Sequence, residues 1–187
     1  MDTDEQDIDL EVITADLREF LRGFQTLQLA TASRTGVAEA SYAPFYRSGR
    51  DFFIYVSELS AHTRNLGENR NVGVLLIEGE DEAKHPFARR RIAYRCTADE
   101  IPRGSQRFEA TMDAMQERFG SFIGMLRKLG DFHLFRLVPG EGTYVAGFAR
   151  TFRLVGECLD EVEAVTEADV KKGLADGDGP GDRENSR

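Results

Sequence analysis

Residues 52–66 read Phe52-Phe53-Ile54-Tyr55-Val56-Ser57-Glu58-Leu59-Ser60-Ala61-His62-Thr63-Arg64-Asn65-Leu66. An apolar, β-prone run gives way to a turn carrying hydroxyls and cations, and then to a short helical pattern. The first backbone N–H groups of a helix have no partner inside it, and the helix dipole favours negative charge there. Ser60 and Thr63 add hydroxyl donors, while His62 and Arg64 add an imidazole and a guanidinium suited to a phosphate or carboxylate. Two readings stay open on these residues alone: an anion site, or a plain helix with Ser60 as N-cap and Arg64 in solvent.

Outward from this stretch the pattern is mostly strand. Val37–Tyr46 precedes it and joins Asp51–Val56 through Arg47-Ser48-Gly49-Arg50, a hairpin loop. Thr26–Ser33 is an earlier strand closed by Arg34-Thr35-Gly36, and Asn71–Ile77 and Arg90–Glu100 follow. Phe132–Val138 and Thr143–Leu154 finish the sheet, with a turn expected at Pro139-Gly140-Glu141-Gly142. Helical stripes run through Thr14–Phe24 (Leu17, Phe20, Leu21, Phe24), Ser60–Glu68 and Gln106–Phe119 (Phe108, Met112, Met115, Phe119). Many antiparallel strands with short turns and marginal helices give a mainly β chain with flanking helices (α+β), a barrel rather than a doubly wound sheet. No GxGxxG follows a strand, which argues against a dinucleotide fold.

At 187 residues with 41% hydrophobic content the chain suits one domain with a real core. Its net charge of −9 argues against nonspecific nucleic-acid binding and against docking on an anionic membrane. No apolar run approaches the roughly 20 residues that span a bilayer. The opening MDTDEQDIDLEV lacks the basic and apolar regions of a secretory signal. Cys96 and Cys158 form no CxxC and have no His at ligand spacing, so they read as reduced thiols in a cytoplasmic protein with no metal site. Residues 1–11 hold six acids and no base and are expected to be a mobile acidic N-terminus. Residues 12–172 are the folded domain, and the Gly- and Asp-rich stretch 173–187 is expected to be a disordered tail.

Further candidates lie along the strands. Asp131 and His133 are two residues apart and share a strand face, so a carboxylate could orient the imidazole as a ligand. The alternative is a packed sheet histidine. Arg89-Arg90-Arg91, with Lys84 and Arg95 nearby, is either a solvated face or a receptor for carboxylates or phosphates. His85 sits in a polar loop and reads as solvated. There is no G-x-S-x-G elbow, H-E-x-x-H or P-loop, so redox chemistry would need a bound cofactor.

Six segments, taken in order, resemble the FMN-binding split β-barrel superfamily of pyridoxamine 5′-phosphate oxidase, and within it the haem iron utilisation (HugZ-like) branch. They are Leu27–Thr31, Ser41–Phe45, Ser60–Leu66, Phe87–Arg91, Asp131–Leu137 and Tyr144–Phe148, and the resemblance covers about residues 17–155. It implies a split antiparallel barrel and a homodimer with ligand sites at the subunit interface. It also implies that Ser60, His62, Thr63 and Arg64 hold the FMN phosphate, that Ser57 and the Tyr55–Val56 backbone lie beside the isoalloxazine, and that Ser41 and Tyr42 lie near the ring. The oxidase has Arg and Lys where this chain has Ala61 and His62. In the haem branch an Asp matching Asp131 supports a C-terminal histidine ligand, but no histidine follows His133 here, and the position that lines up best is near Val170. The oxidase's C-terminal Arg and His pattern is also absent. The implied function is binding of haem at a dimer interface, with oxidative degradation as a possible activity, and Asp131, His133 and Arg89–Arg91 are the haem-site candidates. The alternatives are an FMN-dependent oxidoreductase acting on a small molecule and a cofactor-free ligand-binding dimer.

Overall fold

The chain, described over residues 9–165 in a computed structural model, opens on a capped helix. Asp9 accepts hydrogen bonds from the N–H groups of Glu11 and Val12 and starts α1 (Leu10–Arg22). Asp9, Leu10 and Glu11, expected in a mobile N-terminus, are therefore the cap and first turn of this helix. Residues 1–8 and the expected tail 173–187 lie outside the described residues.

Strands follow as β1 (Thr26–Ala32), β2 (Ala38–Ser48), β3 (Asp51–Ser57), β4 (Asn71–Ile77), β5 (Arg91–Ile101), β6 (Phe132–Val145), β7 (Thr151–Val155) and β8 (Glu161–Ala164). Helices α2 (Ala61–Glu68), α3 (Gln106–Phe119) and α4 (Ser121–Leu126) fill the connections. The sheet runs β3-β2-β1-β4-β5-β6-β7-β8, and an added β3–β6 pairing closes the first six strands into an antiparallel barrel. The architecture is the expected one.

Alternation places Leu27, Leu29, Val72, Val74, Ile92 and Tyr94 inside the barrel. β3 is apolar without interruption because both of its faces are covered. Phe52, Ile54 and Val56 join the inner core, while Phe53 and Tyr55 pack outward against Phe108, Met112 and Met115 of α3 and Ile123 of α4. Each such side chain contributes roughly 1.5–3 kcal/mol on burial. α1 covers the rim where β5 begins, its Asp16 bonded to Arg90 and Tyr144. α2 covers the rim where β5 ends, with Leu66 in the core and Asn65 bonded to Thr31.

The expected turn at Pro139–Gly142 does not form. β6 runs through it, and the register slips so that Arg95 faces Glu141 while Cys96 faces Pro139, leaving Gly140 as the extra residue of a bulge. Gly142 answers a packing need: a Cβ there would lie 2.7 Å from Leu154 Cδ1 and 2.8 Å from Tyr94 Cδ1. The actual reversal is at 146–150, where Ala149 adopts φ 58°. It splits the expected strand Thr143–Leu154 between β6 and β7.

Among the described residues, the α3–α4 core reaches the outer face of β2 only at Tyr46 and leaves the outer residues of β1 and β4 outside it. Register aligns Ala40, Ala30, Gly73 and Arg95 in one row and Tyr42, Gln28, Leu75 and Ala93 in the next. Tyr42 is 68% exposed there.

Candidate functional site

The turn between β3 and α2 is tied to the start of β6. Ser57 Oγ donates to Asp131 Oδ2 at 2.7 Å and accepts the Leu59 N–H at 3.1 Å. The Glu58 N–H donates to the Asp131 carbonyl at 2.8 Å. Thr63 Oγ1 donates back to the Ser57 carbonyl at 2.5 Å. Thr63 is buried, so its hydroxyl holds the turn and does not face a ligand.

Ser60 sits at the N-cap of α2 with extended backbone, yet its side chain makes no capping bond. The cap reading thus holds for its position and fails for its hydroxyl, which stays available beside the first-turn N–H groups. Arg64 is exposed and makes no hydrogen bond or ion pair among the described residues. His62 is buried at 7% exposure, with Nδ1 2.9 Å from Ser41 Oγ. Its Nε2 is buried with no partner among the described residues. Burial lowers the pKa of His62, so the ring is neutral at neutral pH and carries a single N–H.

The structure therefore brings Ser41 to His62 and Ser57 to Thr63. Tyr42 points to the opposite side of β2 from Ser41, onto the uncovered sheet face. The Val56 side chain is in the inner core, so only its backbone can serve a ligand.

Asp131 and His133 do not pair. Asp131 lies just before β6, and the Ser57 hydroxyl engages its carboxylate. His133 Nδ1 lies 2.6 Å from Glu100 Oε1, and its Nε2 lies 2.7 Å from Glu58 Oε1. These hydrogen bonds, Glu100 first and Glu58 second, raise its pKa. With both ring nitrogens held by carboxylates, His133 in this state has no lone pair to offer iron. His85 is exposed, accepts the Phe87 N–H at Nδ1 and stacks on the Phe87 ring.

The arginine run is neither a solvated face nor an open receptor. Arg90 Nε donates to Glu78 Oε1 at 2.9 Å, its Nη1 to Asp16 Oδ1 at 3.1 Å, and its guanidinium lies 4.7 Å from the Phe20 ring centroid. Arg89 binds the Glu78 carbonyl, and Arg91 the carbonyl of Arg89. Glu78 is buried, and a buried carboxylate needs such donors. The run locks the β4–β5 connection onto α1.

Cys96 and Cys158 are free thiols, and burial pushes Cys96 up to about 12. No group of three or more His, Cys, Asp or Glu suited to a metal occurs among the described residues. No helix among them is long and apolar enough to cross a membrane. What suits a bound group is the uncapped start of α2, the free Ser60 hydroxyl, the exposed Arg64 and the buried, unpartnered Nε2 of His62. Sequence reasoning named these residues. It missed Glu58 and Glu100, whose approach to His133 depends on the β3–β6 and β5–β6 registers.

The family model for pyridoxamine 5′-phosphate oxidase matches residues 13–146. The heme oxygenase HutZ of Vibrio cholerae serotype O1 is 39% identical over 144 residues, spanning 77% of this chain and 82% of that protein. The crystal structure of V. cholerae HutZ, described as a heme storage protein, superposes with a TM-score of 0.66 over 71% of this chain and 91% of that one. Campylobacter jejuni ChuZ is 30% identical with a TM-score of 0.75, covering 86% of this chain and 65% of that chain.

Proposed function

Because the chain belongs to the pyridoxamine 5′-phosphate oxidase family, we propose that it works as a haem-iron-utilisation protein, binding haem and degrading it oxidatively at the interface of a homodimer. The observation that carries this reading is the 39% identity to a heme oxygenase across 82% of that protein's length. Haem would be the substrate, supplying both the porphyrin to be opened and the iron that activates oxygen. The chain's own part is to bind, orient and exclude water. Arg64 can receive a propionate in solvent, and the Ser60 hydroxyl and first-turn N–H groups can add to it. His62 presents a neutral imidazole whose Nε2 needs a partner, and Ser41 fixes its ring from the other side. Asp131 keeps the turn in shape through Ser57.

The homodimer is supported by the uncovered sheet face. Ala30, Ala40, Gly73 and Ala93 are small enough for a second sheet to approach closely, and Tyr42 is a large amphipathic contact among them. The unbridged cysteines support a reducing, cytoplasmic setting.

A second reading, FMN at the same turn, is favoured by the free Ser60 hydroxyl beside an uncapped helix start. Against it stand Ala61 and His62 in the place of two cations, and the inward commitment of Thr63.

The deciding experiment is titration of the purified protein with haem and, separately, with FMN. A Soret band that saturates, and then decays under oxygen with an electron donor, is the expected result. Flavin that stays with the protein through gel filtration while haem fails to bind would overturn it. His62→Ala should weaken haem binding on the order of tenfold, the cost of one well-formed polar contact. His133→Ala should leave the position of the Soret band unchanged.

A further inference from the structure

His133 joins three parts of the fold through one ring. It stands on β6, touches Glu100 near the end of β5 through Nδ1, and touches Glu58 of the β3–α2 turn through Nε2. A neutral imidazole has one N–H and can satisfy one of these carboxylates; only the imidazolium donates to both. We propose that His133 is a positioning residue for the candidate site, its imidazolium clamping the turn 57–60 to the end of β5. This rests on placing the ligand at that turn.

Besides the backbone bond from Glu58 to Asp131, two side-chain fastenings tie the turn to the start of β6 at neighbouring positions. The first, Ser57 to Asp131, is a hydroxyl–carboxylate bond. The second, Glu58 to His133, depends on a proton that the imidazole can lose near neutrality. The neighbouring charged groups on and beside β5 and β6 have other partners, and Arg64 of α2 is exposed. Asp131 takes the Ser57 hydroxyl, and Asp99 pairs with Arg70. Arg103 binds the Tyr55 hydroxyl and the carbonyls of Arg127, Leu129 and Phe132, while Arg136 pairs with Asp51. Among the described residues, the ring's hydrogen-bond partners are Glu58 and Glu100.

The direction of the effect follows from the raised pKa of His133. The clamp is complete below the ordinary imidazole value of about 6.5 and is lost as pH rises through the raised value. His62 shifts the opposite way, losing its charge below the ordinary value. The two rings are thus pushed in opposite directions, His62 toward the neutral form by burial and His133 toward the charged form by its two carboxylates. The His133, Glu58 and Glu100 side chains are 30%, 62% and 51% exposed, so solvent screens the pair and the effect is modest.

The test begins on the protein without ligand. NMR follows the His133 ring through its titration, and amide exchange at Glu58, Leu59 and Ser60 is measured against the Ser33–Val37 turn, which makes no hydrogen bond to His133. The expected result is a two- to fivefold rise in relative exchange, about what an exposed ion pair allows, over the pH interval in which the ring loses its proton. Glu58→Gln and His133→Gln should both abolish the pH dependence. A ring that titrates without changing exchange at the turn, or a Glu58→Gln protein that keeps the original profile, would overturn the clamp. Haem affinity measured across the same interval should fall by a similar factor in the native protein and stay flat in His133→Gln. Affinity that ignores pH while the turn responds overturns the positioning role. Failure to bind haem at any pH counts against the proposed function, while the ring and exchange data still decide the clamp.

Discussion

Three histidines in this chain meet three kinds of surroundings, and each has a different chemical capacity as a result. His62 is buried and neutral with one nitrogen unpartnered, His133 is half-buried with its pKa raised by two carboxylates, and His85 is solvated. Residue type alone would have made them equivalent candidates for iron. The same dependence on surroundings governs Gly142, where the nearest heavy atoms leave no room for a methyl group. Gly142→Ala should destabilise the fold by about 1–3 kcal/mol, the usual cost of overpacking, read as a lower midpoint in urea with an unchanged slope. Ser60, His62, Thr63 and Arg64 were legible as a group because strand, turn and helix follow one another locally. The inward commitment of Thr63 and the pairing of His133 were not legible, because their partners are set by loop geometry and by strands far apart in sequence.

At the level of elements, β3 shows why an unbroken apolar run can be a strand. Its inner residues belong to the barrel, and Phe53 and Tyr55 belong to a second core under α3 and α4. Met112 is fully buried in that second core. Met112→Ala should cost about 2–5 kcal/mol in chemical denaturation and leave haem affinity unchanged, since the loss falls outside the barrel and away from the α2 turn. The sequence around Pro139–Gly142 misled because Pro and Gly mark turns far more often than bulges, and only the partner strand's register distinguishes the two. α4 and β8 escaped notice because six and four residues give too little periodicity to read.

For the whole molecule, the asymmetry of the barrel surface is the informative feature. Helices cover the side formed by β3 and β6, and the opposite side carries Ala30, Ala40, Gly73 and Ala93 among Gln28, Tyr42, Leu75 and Arg95. Ala40→Arg, placed on that surface at β2, should shift the protein from dimer to monomer in sedimentation velocity while far-UV circular dichroism stays the same. A monomeric native protein would remove the interface on which the proposed haem site depends. Composition and charge had bounded the molecule to one acidic domain, and nothing in them distinguished a covered face from an open one.

The closing pair of the barrel also governs how the chain can fold as it is made. β3 has its edge satisfied only when β6 arrives, with Ser57 opposite Phe132. At about 5–20 residues per second, synthesis leaves that edge open for several seconds, with an apolar strand exposed on both faces. Such distant pairing raises the contact order and places folding in the millisecond-to-second range once the chain is complete. The nascent protein is thus most exposed to aggregation after the first hairpin has emerged and before residue 132 has, and a chaperone would be needed in that interval more than at any other.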